Sequence, residues 1–280
     1  MTGIPKKVRV PDLALMKGRG ERIVMLTAYD ATMAKLLDLA GIDMLLVGDS
    51  LGHVILGLDT TIPVTLDAVI HHTLAVTRGA NRALVVVADM PFLTYQVTAE
   101  QAMRNASRLF QEGGAAAVKL EGGRAIADTV RRLTTAGLPV MGHVGLTPQH
   151  VHRLGGMRQQ ARNDEAAQEL ILDALALEDA GAFAVVLEAI PDTVAEAVTS
   201  RLRIPTIGIG AGPHCDGQVL VSYDILGLFD RFVPPFVKQY AQLGDAILGA
   251  AKNYADDVRQ GMYPKPVAKY RESAPLLAVK

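Results

Sequence analysis

Short runs that are apolar on both faces alternate along the chain with segments whose apolar residues recur at helical period. A strand apolar on both faces must be covered on both, which is the condition of a parallel strand inside a β/α fold. The expected strands are Ile23 to Ala28, Met44 to Val47, Leu84 to Ala88, Ala115 to Leu120, Pro139 to Met141, Phe183 to Leu187 and Ile204 to Ile207, with a weaker eighth near Phe229 to Val233. The helices between them carry readable ends. Asp30 can cap a helix whose buried stripe is Met33, Leu36, Leu37 and Ala40, with Gly41 just past it. Thr98 and Gln101 have capping-box spacing ahead of Ala102, Ala106, Leu109 and Phe110, with Gly113 as the stop. Asp164 opens another helix that ends at Gly181, and Pro191 sits where a first turn tolerates it.

Eight such units with short connections favour a closed (β/α)8 TIM barrel over an open doubly wound sheet. The glycine run Gly208 to Gly212 lacks the spacing of a dinucleotide fingerprint, and no Gly-Lys-Ser/Thr phosphate loop occurs. At 280 residues the chain suits one barrel, a fold of about 250 residues, so a single domain over 1–280 is expected. An N-terminal segment, 1–22, would cap the barrel, with a helix near Pro11 to Gly20 plugging its lower end. A Pro- and Lys-rich tail, 264–280, would be peripheral.

Composition excludes several function classes. With no Trp and few aromatics, the core must come from Ala, Val, Leu and Ile. The 28 basic and 29 acidic residues nearly cancel and no basic block is interleaved with aromatics, so neither nucleic acid nor a membrane surface is an expected partner. Apolar runs such as Ala83 to Ala88 are far shorter than a bilayer span. The lone Cys215 cannot form an internal disulfide, and Met1 to Leu26 lacks signal-peptide order, so a cytoplasmic location is expected.

In a β/α barrel, chemistry gathers at the carboxyl ends of the strands. There the sequence reads Val47-Gly48-Asp49-Ser50, Ala88-Asp89-Met90-Pro91, Lys119-Leu120-Glu121-Gly122-Gly123, Met141-Gly142-His143 and Leu187-Glu188. One Asp or Ser after a strand is often only a turn former or helix cap. Carboxylates arriving from successive strands repel one another, however, and a cation is the simplest compensation. Oxygen donors with a single His and no nearby Cys suit Mg²⁺ better than zinc. Lys119 and Glu121, two apart on one strand, share the interior face. They could form an ion pair closing the barrel, or Lys119 could meet an anionic substrate. His143 could equally satisfy a buried carbonyl. Glu188 ends an otherwise apolar strand, so its carboxylate is expected to be partly stripped of water and to serve as the base. One base, one Lewis acid and one cation suffice to enolise an oxo acid.

At these positions the chain resembles the ketopantoate hydroxymethyltransferase family. The likeness is carried by Met25-Leu26-Thr27-Ala28-Tyr29-Asp30, Val47-Gly48-Asp49-Ser50-Leu51-Gly52, Val118-Lys119-Leu120-Glu121-Gly122-Gly123 and Gly142-His143-Val144-Gly145-Leu146-Thr147-Pro148-Gln149. Gly208-Ile209-Gly210-Ala211-Gly212 with Asp216-Gly217-Gln218 adds a late glycine loop, and the likeness runs from about Ile4 to Pro264. The resemblance implies a barrel of the phosphoenolpyruvate/pyruvate type. It also implies transfer of a one-carbon unit from 5,10-methylenetetrahydrofolate, as co-substrate, to 3-methyl-2-oxobutanoate on the route to pantothenate and coenzyme A. It places Mg²⁺ on Asp49, Asp89 and Glu121, the oxo acid on Asp49, Ser50, Asp89 and Lys119, and the proton acceptor at Glu188. His143 falls within the same site as a further substrate contact. A homo-oligomer, often a ring-stacked decamer, is implied as well. One departure is Tyr223 before Asp224, where the family pattern leads us to expect His; it is expected to lie away from the metal cluster. The rivals are a metal-dependent lyase or mutase of the isocitrate lyase type, which carries an early reactive Cys unlike the late Cys215, and a non-catalytic metal-binding barrel.

Overall fold

The computed structural model describes residues 7–80 and 85–265. Its strands are β1 (Ile23–Thr27), β2 (Met44–Val47), β3 (Val85–Asp89), β4 (Ala117–Glu121), β5 (Val140–Gly145), β6 (Ala184–Glu188), β7 (Thr206–Ile209) and β8 (Gly217–Leu220). All pair in parallel with their sequence neighbours, and β8 returns to β1, so the sheet closes into a barrel. The helices are α1 (Val10–Gly18), α2 (Ala31–Leu39), α3 (Leu51–Val54), α4 (Leu66–Gly79), α5 (Ala99–Gln111), α6 (Ala127–Thr135), α7 (Val151–Leu154), α8 (Asp164–Asp179), α9 (Asp192–Arg201), α10 (Ser222–Ile225) and α11 (Leu243–Arg259). Among the described residues no helix is long and apolar enough to cross a membrane.

The apolar runs become strands because each is covered twice. Outward residues such as Leu45, Val86, Val118 and Val185 join the helix stripes in one core. Inward residues Met25, Met44, Val87, Ala117, Met141, Val186 and Ile207 fill the barrel itself. Helix α1 drives the fully buried Leu13 into that inner core, with Lys17 one turn further on. The helix starts follow their side chains too. Asp30 accepts the Met33 N–H at 2.9 Å and Thr98 accepts the Gln101 N–H at 3.1 Å. The reciprocal half of the capping box is not made, since Gln101 Oε1 is buried without a partner. Asn163 caps α8 immediately before Asp164.

Two expectations need correction. The eighth strand is Gly217–Leu220, and Phe229 to Val233 is irregular, with Phe232 exposed. A closing strand must fit between β7 and β1 after a short connection, and Gly217 does so because a Cβ there would lie 2.4 Å from the Ile23 carbonyl. The fifth strand runs on to Gly145, which places His143 inside the sheet rather than beyond it. Leu84, residues 1–6 (the start of the expected cap, including Ile4) and residues 266–280 of the expected tail lie outside the described residues.

Candidate active site

On β3, β4, β5 and β6 the inward face reads apolar at the bottom and ionisable at the top, because side chains two apart share a face. Val85 and Val87 lead to Asp89, Ala117 leads to Lys119 and Glu121, Met141 leads to His143, and Ala184 and Val186 lead to Glu188. Asp49 arrives from the turn after β2, where Gly48 leaves no room for a side chain: a Cβ would meet Ser50 Oγ at 2.7 Å. Parallel pairing then sets neighbours abreast, Asp89 beside Lys119 and Glu121 beside His143.

The predicted residues meet. Lys119 Nζ lies 3.2 Å from Asp89 Oδ1, 3.9 Å from Glu121 Oε1 and 3.2 Å from His143 Nδ1. Asp89 Oδ2 accepts the Asp49 N–H at 2.9 Å. His143 Nε2 is 3.2 Å from Glu188 Oε2, and its Nδ1 is 3.6 Å from Glu121 Oε1. Asp49, Asp89, Lys119, Glu121 and His143 are all buried, whereas Glu188 keeps a side chain 20% exposed, open to whatever enters the mouth. Its position is held from behind. Gly145, at φ +96°, lets the β5 turn approach so closely that a Cβ would lie 2.3 Å from the Glu188 carbonyl oxygen.

The cluster holds more negative charge than its own cations balance: carboxylates from four strand ends face Lys119 and His143. Burial, reinforced by Asp89 and Glu121, raises the Asp49 carboxyl well above its ordinary range. Burial also raises Asp89, although Lys119 and the Asp49 N–H oppose it. Glu121 goes the other way, since His143, Lys119 and the Gln149 N–H outweigh its burial. Burial works against a charged Lys119, but Asp89, Glu121 and Asp49 hold its pKa above the usual value. Burial and the Lys119 charge likewise disfavour protonated His143, yet Glu121 and Glu188 push it up to about 9.

Two buried polar atoms in the cluster lack a hydrogen bond. Asp89 Oδ1 sits near Lys119 and His143 Nε2 near Glu188, both poorly aligned. Unsatisfied groups of this kind are rare in a purely structural core. Among the described residues no three His, Cys, Asp or Glu side chains converge as a ready chelating set. The excess negative charge and the orphaned Asp89 oxygen nevertheless fit a divalent cation that keeps part of its water and takes only one or two carboxylates.

Sequence reasoning missed two organising residues. Gln149, 2% exposed, donates from its backbone N–H to Glu121 Oε2 at 3.0 Å, and from its side chain to Asp49 Oδ2 and the Met90 carbonyl, each at 2.9 Å. Buried Tyr95 accepts the Glu121 N–H at 3.0 Å, its hydroxyl 3.0 Å from Gln149 Oε1. Gln149 stands in the quoted Thr-Pro-Gln segment, so a signal existed; Tyr95 lies in a loop with none. Ser50 is reached through Tyr29, whose hydroxyl is 2.8 Å from Ser50 Oγ. Tyr223 packs its ring edge-on against Tyr29 at 5.8 Å, because β8 ends beside β1 on the same rim. Cys215 is buried just ahead of β8, at the opposite end of the barrel, so no thiol serves the mouth.

A closed parallel barrel with buried acids, a lysine and a histidine converging at its carboxyl mouth defines an enzyme of the β/α-barrel class. The sequence model of the family described as ketopantoate hydroxymethyltransferase matches residues 7–266, and the chain belongs to that family. A 3-methyl-2-oxobutanoate hydroxymethyltransferase of Moorella thermoacetica is 58% identical over 258 residues, covering 92% of this chain and 96% of the relative. One from Syntrophus aciditrophicus is 56% identical over 259 residues, covering 92% and 95%. Among solved structures, phosphonopyruvate hydrolase in complex with oxalate and Mg²⁺ superposes with a TM-score of 0.60 at 14% identity, covering 91% of this chain and 88% of that one. A 2,3-dimethylmalate lyase of the PEP mutase/isocitrate lyase superfamily gives 0.59 at 16% identity, covering 97% and 93%. These two likenesses concern the fold alone.

Proposed function

We propose that the chain transfers a hydroxymethyl group from 5,10-methylenetetrahydrofolate to 3-methyl-2-oxobutanoate, giving ketopantoate for pantothenate and coenzyme A synthesis, in a Mg²⁺-dependent reaction. The observation that carries this reading is the pairing of a part-exposed Glu188 with a buried, over-acidic cluster around Lys119 in a chain of this family. Asp49 and Asp89 would hold the metal directly. Glu121, with one oxygen taken by the Gln149 N–H and the other facing Lys119 and His143, would hold it through water. When bound, Mg²⁺ supplies Lewis-acid polarisation of the oxo acid's carbonyl.

The chain's own residues do the rest. Lys119 offsets the carboxylate charge of the oxo acid, and the Ser50 hydroxyl, oriented by Tyr29, hydrogen-bonds it. Glu188 takes the proton from the branched carbon, and His143 Nε2 beside it steadies the carboxylate. The carbanion so formed then accepts the one-carbon unit. A homo-oligomer, with a decamer as the family's pattern, belongs to the same reading. No α11 residue is buried, and Ile247, Leu248, Tyr254 and Val258 expose an apolar face that a neighbouring subunit would cover.

Solvent deuterium exchange at the branched carbon of 3-methyl-2-oxobutanoate, without folate, tests the core of this. Exchange should occur with Mg²⁺ and stop with a chelator; exchange indifferent to the chelator removes the metal's role. Product formation only when the folate donor is added separates a transferase from a lyase.

A further inference from the structure

Across the mouth from the acids of β2 to β4, the rim is closed by the ends of β7, β8 and β1, and this sector has a different chemistry. Its walls are backbone and aromatic rings. Gly210 follows β7 so closely beneath Phe236 that a Cβ there would come within 2.7 Å of the ring, and Tyr223 stacks edge-on against Tyr29. Asp224 lies in this sector on α10. It is only 7% exposed, and among the described residues neither a side-chain hydrogen bond nor an ion pair engages its carboxyl. Its charge nonetheless reaches the Tyr29 phenol, which adjoins Ser50. Burial alone pushes the carboxyl up to about 6. A largely enclosed carboxyl that no side chain or backbone group of the protein engages adds little to the fold, and such groups concentrate where chemistry uses them.

The depression of about 410 Å³ on the β5 side of the barrel, lined by Gly145, Gln160, Asn163, Glu169 and Asp173 among others, makes no comparable offer. Glu169 and Asp173 bind Arg124, Asn163 caps α8, and the Gln160 side chain bonds the Arg158 carbonyl.

Resting on the function proposed above, we propose that the β7–β8–β1 sector receives the reduced-folate donor and that Asp224 is the acid that protonates its leaving arylamine nitrogen. In that step the neutral carboxyl gives its proton to N10 as the methylene–N10 bond breaks. The pair of that bond goes to N10, the N5 lone pair forms the new C=N bond of a methylene iminium, and Asp224 is left as carboxylate. Glu188 serves the oxo acid and Asp224 the amine, each on its own side of the opening. A pterin offers a ring face to aromatic side chains and an edge of amine, lactam and ring nitrogens that backbone N–H and C=O groups can meet, which suits this uncharged sector better than the crowded acids opposite.

The test uses the whole chain with Asp224→Asn, and Asp224→Ser as a second variant. Folate-free deuterium exchange with Mg²⁺ should stay within about twofold of the wild type, while folate-dependent transfer falls by about 100-fold or more. Thermal melts give a readout independent of turnover. Because the folded pKa of about 6 lies above the ordinary 3.8, the stability held by protonated Asp224 is present below pH 4 and is lost as pH rises through 6, and neither variant should show that loss. Transfer within about threefold of the wild type, parallel loss of exchange and transfer, or a melting difference indifferent to pH would each overturn the assignment. A wild type that neither exchanges nor transfers would bring down the functional reading, and this proposal with it.

Discussion

Lys17 and Lys119 are both lysines drawn into the barrel, at opposite ends, and their surroundings differ in one decisive respect. At the amino end, α1 inserts Leu13 beneath the inner core and Lys17 Nζ donates to the Thr199 and Ile204 carbonyls at 3.0 and 3.1 Å and to Asp216 Oδ2 at 2.9 Å. Every proton of that ammonium has an acceptor. At the carboxyl end, Lys119 stands among Asp89, Glu121 and His143, with the nearest carboxylate oxygen orphaned and acids in excess. A buried charge whose partners are complete holds structure together, whereas an incomplete set is held ready for something not yet bound.

Four changes bear on that contrast, the largest effect first. Glu188→Gln should reduce deuterium exchange of the oxo acid by about 10²–10⁴-fold with Mg²⁺ affinity by calorimetry nearly intact; loss of metal instead would mean that Glu188 is a ligand. Lys119→Met should abolish exchange and lower the metal-free protein's stability in urea by about 3–5 kcal/mol, because the surrounding acids lose their cation, and Mg²⁺ should recover part of it. Unfolding indifferent to Mg²⁺ would erase the difference between the two ends. Leu13→Ala, at the closed end, should cost about 2–5 kcal/mol while exchange per folded molecule is unchanged. The smallest effect is expected from Asp216→Asn, about 1–3 kcal/mol from weakening one charge-assisted contact of Lys17, with the oxo-acid KM untouched. A changed KM would show that the lower end reaches the site after all.

Much of the fold was legible because its signals are local. Seven strands follow from runs apolar on both faces, and the α2, α5 and α8 starts follow from Asp30, Thr98 and Asp164. The eighth strand was not legible. Gly217 to Leu220 is four residues with a polar Gln and an entry glycine, and its claim to the sheet comes from the gap between β7 and β1 rather than from its own pattern. At the mouth, the ends of β2, β3, β4 and β6 announced Asp49, Asp89, Glu121 and Glu188. Of the pins that set their distances, Gln149 stood in a quoted motif that did not reveal its role, and Tyr95 comes from a loop that gave no sign.

The sequence by itself determined which side chains stand at the strand ends and which face each takes, since alternation along a strand is a property of consecutive residues. Only the tertiary structure decided which of them touch: that Tyr223 backs Tyr29, that Gln149 ties Asp49 to Glu121, and that Asp89, His143 and Asp224 are left incompletely partnered. Those contacts span the opening of a closed barrel, and the register on closure sets the distance between them, a quantity that no stretch of neighbouring residues contains.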